Sequence, residues 1–168
     1  MDFKVRKSIR LNGYDYSTPG AYFITICAYN RKNIFGEIVA GDIFNLPEIK
    51  LSEIGIIAND EILKIQDHYE NIKVDKYTIM PNHIHMIIRI TERINPFPTT
   101  KKYDVPNVVG KYKAAVSRNI GEQLDKMNIW QKSFYDHIIR TEQDYNEIWI
   151  YIDENPSKYA EGKFDEDD

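Results

Sequence analysis

The sequence predicts an α+β fold, with helices packed on an antiparallel sheet. Three observations predict it. Runs rich in β-branched and aromatic residues are interspersed with runs of helical spacing. Two pairs of strand-like runs are each joined by a short turn signal, as in antiparallel hairpins. The order is strand, hairpin, helix, hairpin, helix, strand, helix, a mixture that calls for helices layered on a sheet.

The first strand is AYFITICAY, residues 21–29, dense in aromatic and β-branched side chains. NRKN follows as a turn. Residues 34–46, IFGEIVAGDIFNL, read as two short strands around Ala40-Gly41-Asp42. Ser52 is placed to cap a helix running to about Gln66, with Ile54, Ile57, Ala58, Glu61, Ile62 and Ile65 as its stripe. IKVDKYTIM is a strand, Pro81-Asn82 a turn, and the strand after it opens with His83. Residues 91–107 carry three prolines and no periodicity, which marks a loop. A helix starts near Pro106, with Val109, Tyr112, Val116, Asn119 and Ile120 on its inner face. WQKSFYDHIIR reads as a strand. Thr141 and Asp144 have the spacing of a helix start, and Pro156 is expected to stop that last helix after about Glu154.

The length of 168 residues fits one domain spanning 1–168, closed by an acidic tail at 161–168. No stretch approaches the ~20 apolar residues of a membrane helix. The charged start MDFKVRKSIR lacks the apolar core of a secretory signal. Cys27 is the only cysteine, so an intrachain disulfide and a thiolate zinc cluster are both excluded. A cytoplasmic protein is the simplest expectation. The formal net charge of −4 alone argues mildly against a nucleic-acid partner, but the charge is uneven. Lys4, Arg6, Lys7 and Arg10 cluster at the start, and Lys101, Lys102, Lys111, Lys113 and Arg118 cluster later. Such clusters are either solvated surface or phosphate contacts.

MPNHIHMIIRI holds the most informative pattern. In a strand of period two, Ile84, Met86, Ile88 and Ile90 face a core, which leaves His83 and His85 side by side on the other face. Three uses compete: fold-stabilising hydrogen bonds, a metal site completed by a third ligand, or acid–base chemistry oriented by a carboxylate. The last helix offers a candidate third ligand. Tyr151 and Asn155 share one helix face, roughly 6 Å apart along the axis. Packing for Tyr151 and a helix end for Asn155 explain the same spacing equally concretely.

His-hydrophobic-His on a strand, then a tyrosine on a late helix, resembles the HUH single-strand nucleases. MPNHIHMII, WQKSFYDHIIR and YIDENPSK, in that order, are similar to the REP-associated tyrosine transposases, a branch of the single-tyrosine insertion-sequence transposases. The resemblance spans roughly residues 20–158 and includes YFITICAYNRKNIFG. It implies a ferredoxin-like α+β core. It implies magnesium or manganese held by His83, His85 and Asn155, with Tyr151 as nucleophile. Asparagine followed by proline at 155–156 points to the REP-associated branch, where the small insertion-sequence enzymes usually have glutamine. The implied activity is a single-stranded DNA endonuclease and strand transferase, working through a 5′-phosphotyrosine on hairpin-bearing DNA, as a monomer or homodimer. Lys4, Arg6, Lys7, Arg10, Lys111, Lys113 and Arg118 are the expected phosphate contacts. The alternative from another class is a non-catalytic single-strand-binding protein on the same fold. A replication-initiation nuclease is disfavoured, since no helicase fits in 168 residues.

Overall fold

The computed structural model describes residues 10–42, 45–92, 103–121 and 128–161. Strand β1 (Gly20–Cys27) lies inside a four-stranded antiparallel sheet. It pairs with β5 (His83–Ile90) on one side and β6 (Tyr135–Ile139) on the other, and β4 (Ile72–Ile79) pairs with the outer side of β5. The sheet order is therefore β4-β5-β1-β6. A separate hairpin, β2 (Gly36–Val39) with β3 (Glu48–Leu51), is inserted before helix α1 (Glu53–Leu63). A short α2 (Ile65–His68) follows α1, and α3 (Val105–Gly121) links β5 to β6. With the hairpin set aside, β1-α1-β4-β5-α3-β6 is a ferredoxin-like unit. Helix α4 (Glu142–Ala160) follows it.

Alternation along β1 and β5 sorts the two faces. Tyr22, Ile24 and Ile26 join Ile84, Met86, Ile88 and Ile90 in the main core. Ala58 and Ile62 of α1, and Val109, Tyr112, Val116 and Ile120 of α3, close that core from above. The other face buries a much smaller cluster, Ala21, Ile87 and Ile152, flanked by Phe23, Ile139, Tyr145, Ile148, Trp149 and Tyr151. Each fully buried large apolar side chain contributes ~1.5–3 kcal/mol. The α1/α3 layer therefore dominates stability, and α4 is held by less. Polar contacts add to its hold: Tyr145 donates to Asp75 at 3.0 Å, and Lys76 pairs with Asp153.

Ser52 and Thr141 cap their helices as expected, accepting from Gly55 N–H and Asp144 N–H at 3.1 Å each. Four expectations are corrected. The helix after Ser52 is not continuous to Gln66 but breaks at Lys64, whose N–H is shared between the Asp60 and Ile62 carbonyls. The 34–46 hairpin does not turn around Ala40–Asp42. Its second strand begins only at Glu48, because Asp42 N–H bonds the Asn45 carbonyl and Asp42 Oδ1 accepts from Asn45 N–H, which moves the turn downstream. In WQKSFYDHIIR continuous pairing with β1 covers only Tyr135–Ile139, and Trp130 forms an isolated antiparallel bridge with Ala28. Gln131 N–H bonds the Cys27 carbonyl as part of that bridge, and Lys113 Nζ holds the carbonyls of Gln131 and Ser133 between the bridge and β6.

The fourth correction concerns Pro156, which does not stop the last helix. Helix α4 carries it internally and ends at Ala160. An internal proline costs about 3 kcal/mol. Contacts of α4 with β4 and with the β2–β3 hairpin, and burial of Ile152 and Asn155, oppose that cost. Among the described residues no helix is long and apolar enough to cross a membrane.

Candidate active site

The turn before β5 is pinned from three directions. Ala28 N–H bonds the Asn82 carbonyl at 2.8 Å, Phe35 N–H the Pro81 carbonyl at 3.0 Å, and Met80 N–H the His83 carbonyl at 2.8 Å. His83 and His85 therefore leave a fixed strand end toward α4. The two imidazoles meet edge to face, ring centroids 4.5 Å apart, with Nε2 to Nε2 at 2.9 Å. His85 is fully buried and His83 is 9% exposed. Cys27 stands opposite His83 in the β1–β5 register and is itself buried.

The outer nitrogens are also engaged. His83 Nδ1 lies 2.6 Å from Asn82 Oδ1, an acceptor, so Nδ1 carries the proton and Nε2 a lone pair. His85 Nδ1 lies 2.9 Å from the Thr25 hydroxyl, which can donate or accept. When Thr25 donates, His85 Nε2–H bonds His83 Nε2. When Thr25 accepts, two lone pairs converge on one point. Burial first, then the charges of His83 and Arg31, holds the His85 pKa well below the usual histidine value. A neutral imidazole is the form that ligates a cation.

Helix α4 brings Tyr151 to this pair. Its hydroxyl is 3.5 Å from His85 Nε2, with ring centroids 5.3 Å apart. Phe23 stacks on His85 at 5.2 Å and meets Tyr151 edge-on at 6.0 Å, filling the wedge between sheet and helix. Asn155, one turn further along α4, is buried. Tyr145 and Tyr159 are engaged elsewhere, whereas Tyr135 shares the histidine face on the neighbouring strand but is exposed there. Tyr145 donates to Asp75, the Tyr159 hydroxyl faces Asn33 Oδ1 at 3.4 Å, and Tyr135 lies one strand beyond Thr25.

The donor set fits a divalent cation. Two cis ligands at ~2.1 Å from an octahedral ion stand about 3.0 Å apart, close to the 2.9 Å between the Nε2 atoms. Among the described residues no third histidine, cysteine or carboxylate joins them. The oxygen that α4 brings to the pair is the Tyr151 phenol.

Of the expected phosphate contacts, Lys4, Arg6 and Lys7 lie outside the described residues. The Arg10 guanidinium sits 4.6 Å from the Phe134 ring centroid. Lys111 and Arg118 line one groove, whereas Lys113 is held by two backbone carbonyls, so the cluster is divided. Other titratable groups have partners of their own: Asp136 faces the α1/α3 side and accepts from Tyr16 at 2.6 Å. His137 pairs with Asp144, and His68 bonds the Lys64 carbonyl. Sequence reasoning missed Thr25, Phe23 and the side-chain role of Asn82. Asn82 has a legible signal, its place next to His83. Thr25 and Phe23 become visible only through the β1–β5 register.

Comparison with known proteins agrees with this architecture. Residues 20–155 match the family described as IS200-like transposase. An uncharacterized protein of Haemophilus influenzae (strain Rd) is 32% identical over 165 residues, covering 90% of this chain and 88% of that one. The solved structure of a REP-associated tyrosine transposase bound to a REP hairpin superposes with a TM-score of 0.61 at 18% identity, over 92% of this chain and 76% of the other. A candidate transposase of Deinococcus radiodurans superposes with a TM-score of 0.51 at 17% identity, over 86% and 95%. The match across most of the chain places this protein in the IS200-like transposase family.

Proposed function

We propose that this protein is a metal-dependent single-stranded DNA endonuclease and strand transferase that uses Tyr151 as nucleophile on hairpin-bearing DNA. The observation that carries this reading is the convergence of two imidazole Nε2 atoms and the Tyr151 hydroxyl beneath one helix. Family membership supports DNA transposition chemistry, and the hairpin bound to the structurally similar transposase supports the form of the substrate.

His83, His85 and Asn155 would hold magnesium or manganese, which when bound neutralises charge on a phosphate oxygen and aligns the phosphorus. The protein supplies the rest. Asn82 holds His83 with Nε2 unprotonated, and Thr25 does the same for His85 by accepting from Nδ1–H. Phe23 keeps the His85 ring in plane. Tyr151 oxygen attacks the phosphorus, forming an O–P bond as the P–O3′ bond breaks. The phenol proton is balanced by the one gained by the departing 3′-hydroxyl. Tyrosine has a pKa near 10, so its activation falls within the attacking step. The 5′-phosphotyrosine conserves the phosphodiester linkage, and a different 3′-hydroxyl reverses the step, which suits strand transfer better than hydrolysis.

Covalent trapping tests this. Labelled hairpin DNA with an unpaired flank and manganese should give a denaturation-resistant protein–DNA band that chelator prevents. Tyr151→Phe should lose the band while retaining DNA binding. A band surviving in that variant would assign the nucleophile elsewhere. No band with any hairpin strand would favour the non-catalytic binding protein.

A further inference from the structure

A groove of about 490 Å³ opens on the side of the molecule away from His83 and His85, between α1–α2 and α3. That volume falls within the ~300–1,000 Å³ of ordinary ligand sites. One wall is aromatic: Tyr69 and Tyr103 meet edge to face at 4.7 Å, and Lys111 Nζ lies 5.8 and 5.4 Å from their ring centroids. The charged lining is Glu61, Lys64, Lys111 and Arg118, with His68 beside them. Glu61 is already engaged, by Lys64 at 2.6 Å and by Asn119 at 2.9 Å. Among the described residues neither Lys111 nor Arg118 has an ion-pair partner. In a chain of net charge −4, this groove is a local excess of positive charge.

The spacing restricts what fits. Lys111 and Arg118 are seven residues apart on α3, two turns, or about 10 Å along the axis. Two cations at that spacing along one groove suit a run of backbone. A tyrosine wall beside a cation is the chemistry that holds unpaired bases: a π-face for the base and a charge for its phosphate. We propose that this groove is a second nucleic-acid subsite, remote from the histidine pair. It binds a short unpaired stretch of single-stranded DNA, with phosphates along Lys111 and Arg118 and a base against Tyr103, the half-buried ring of that wall, which Tyr69 backs from the core. The choice of DNA rests on the transferase reading above. The groove itself rests on its own lining.

The experiment is fluorescence anisotropy of the full chain with labelled oligothymidylate, which forms no hairpin, over a salt series. Lys111→Gln/Arg118→Gln should weaken binding about tenfold and lower the log–log salt slope by about 1.4, two phosphates at ~0.7 each. Tyr103→Ala should weaken binding about tenfold with the slope unchanged. Lys50→Gln/Lys73→Gln, a pair outside the groove, should do neither. Thymidine monophosphate at millimolar concentration should not compete. Equal loss in the Lys50/Lys73 control, or an unchanged isotherm in Lys111→Gln/Arg118→Gln, would overturn the subsite. Competition by the mononucleotide as effective as by the oligomer would overturn its polymeric ligand. Each variant's urea midpoint is measured alongside, and Tyr103→Phe, which keeps the ring, should restore binding. The assay requires no cleavage. Failure of covalent trapping with these results intact would remove the nuclease reading and leave the subsite.

Discussion

The Thr25 hydroxyl decides which nitrogen of His85 carries the proton, although nothing in ITIC distinguishes Thr25 from a strand former. Outer-shell partners of this kind are worth ~10–100-fold in metal affinity. Thr25→Val should therefore weaken manganese binding by about that factor in a calorimetric or spin-resonance titration, and Thr25→Ser should restore it. Affinity unchanged in Thr25→Val would remove Thr25 from the site. His85 also predicts a pH dependence in metal-free buffer. Its folded pKa is lowered by burial. The unfolded chain thus binds a proton below about pH 6.5 that the folded chain refuses. Stability should be flat above pH 7 and fall below about 6.5, by at most ~1.4 kcal/mol per pH unit for this group. Urea midpoints at pH 7.5, 6.0 and 5.0 check the sign, and His85→Leu should flatten the profile. His83, His85, Tyr151 and Asn155 stood out in the sequence because spacing along one strand and one helix is local information. That α4 covers the histidine face, and that Phe23 and Thr25 complete it, depends on pairing across 60 residues or more.

At the scale of elements, the joint between the β2–β3 hairpin and α1 is the tightest. Ser52 N–H bonds the Phe35 carbonyl at 2.9 Å, and Ser52 Oγ bonds the Ile34 carbonyl at 2.6 Å. A Cβ at Gly55 would come within 1.9 Å of that Phe35 oxygen. Gly55→Ala gains helix propensity of about 1 kcal/mol, yet the clash is with backbone and cannot be relieved by a rotamer, so a cost of about 3 kcal/mol leaves a net loss of about 2 kcal/mol. Chemical denaturation checks it, and a neutral or stabilised variant would show that the hairpin shifts freely. Element types were legible from periodicity and capping residues. Their limits were not, wherever a tertiary contact outweighed a local signal. Pro156 is overridden by the packing of α4. The stretch between Trp130 and Tyr135 is held out of the ladder by Lys113, which takes the Gln131 and Ser133 carbonyls.

Taken whole, the molecule has a thick apolar layer on one side of its sheet and a thin, chemically equipped one on the other. The α+β class could be read from the order of elements. The sheet order β4-β5-β1-β6 was not locally encoded, and the ferredoxin-like expectation came through the family resemblance. The charge pattern was legible as two clusters, but only the fold puts Lys111 and Arg118 in one groove and ties Lys113 to carbonyls. The thin side also holds the chain's single thiol. Cys27 is 1% exposed and stands across from His83. The protein thus carries its own stopwatch. With excess thiol reagent, Cys27 should label at the rate of a free thiol multiplied by the fraction of time its surroundings open. Global unfolding is the slowest route and sets the floor. Labelling well above that floor would report local opening of this end of the sheet, with no foreign cysteine introduced. Labelling at the floor would mean that this end of the sheet opens only when the whole domain does.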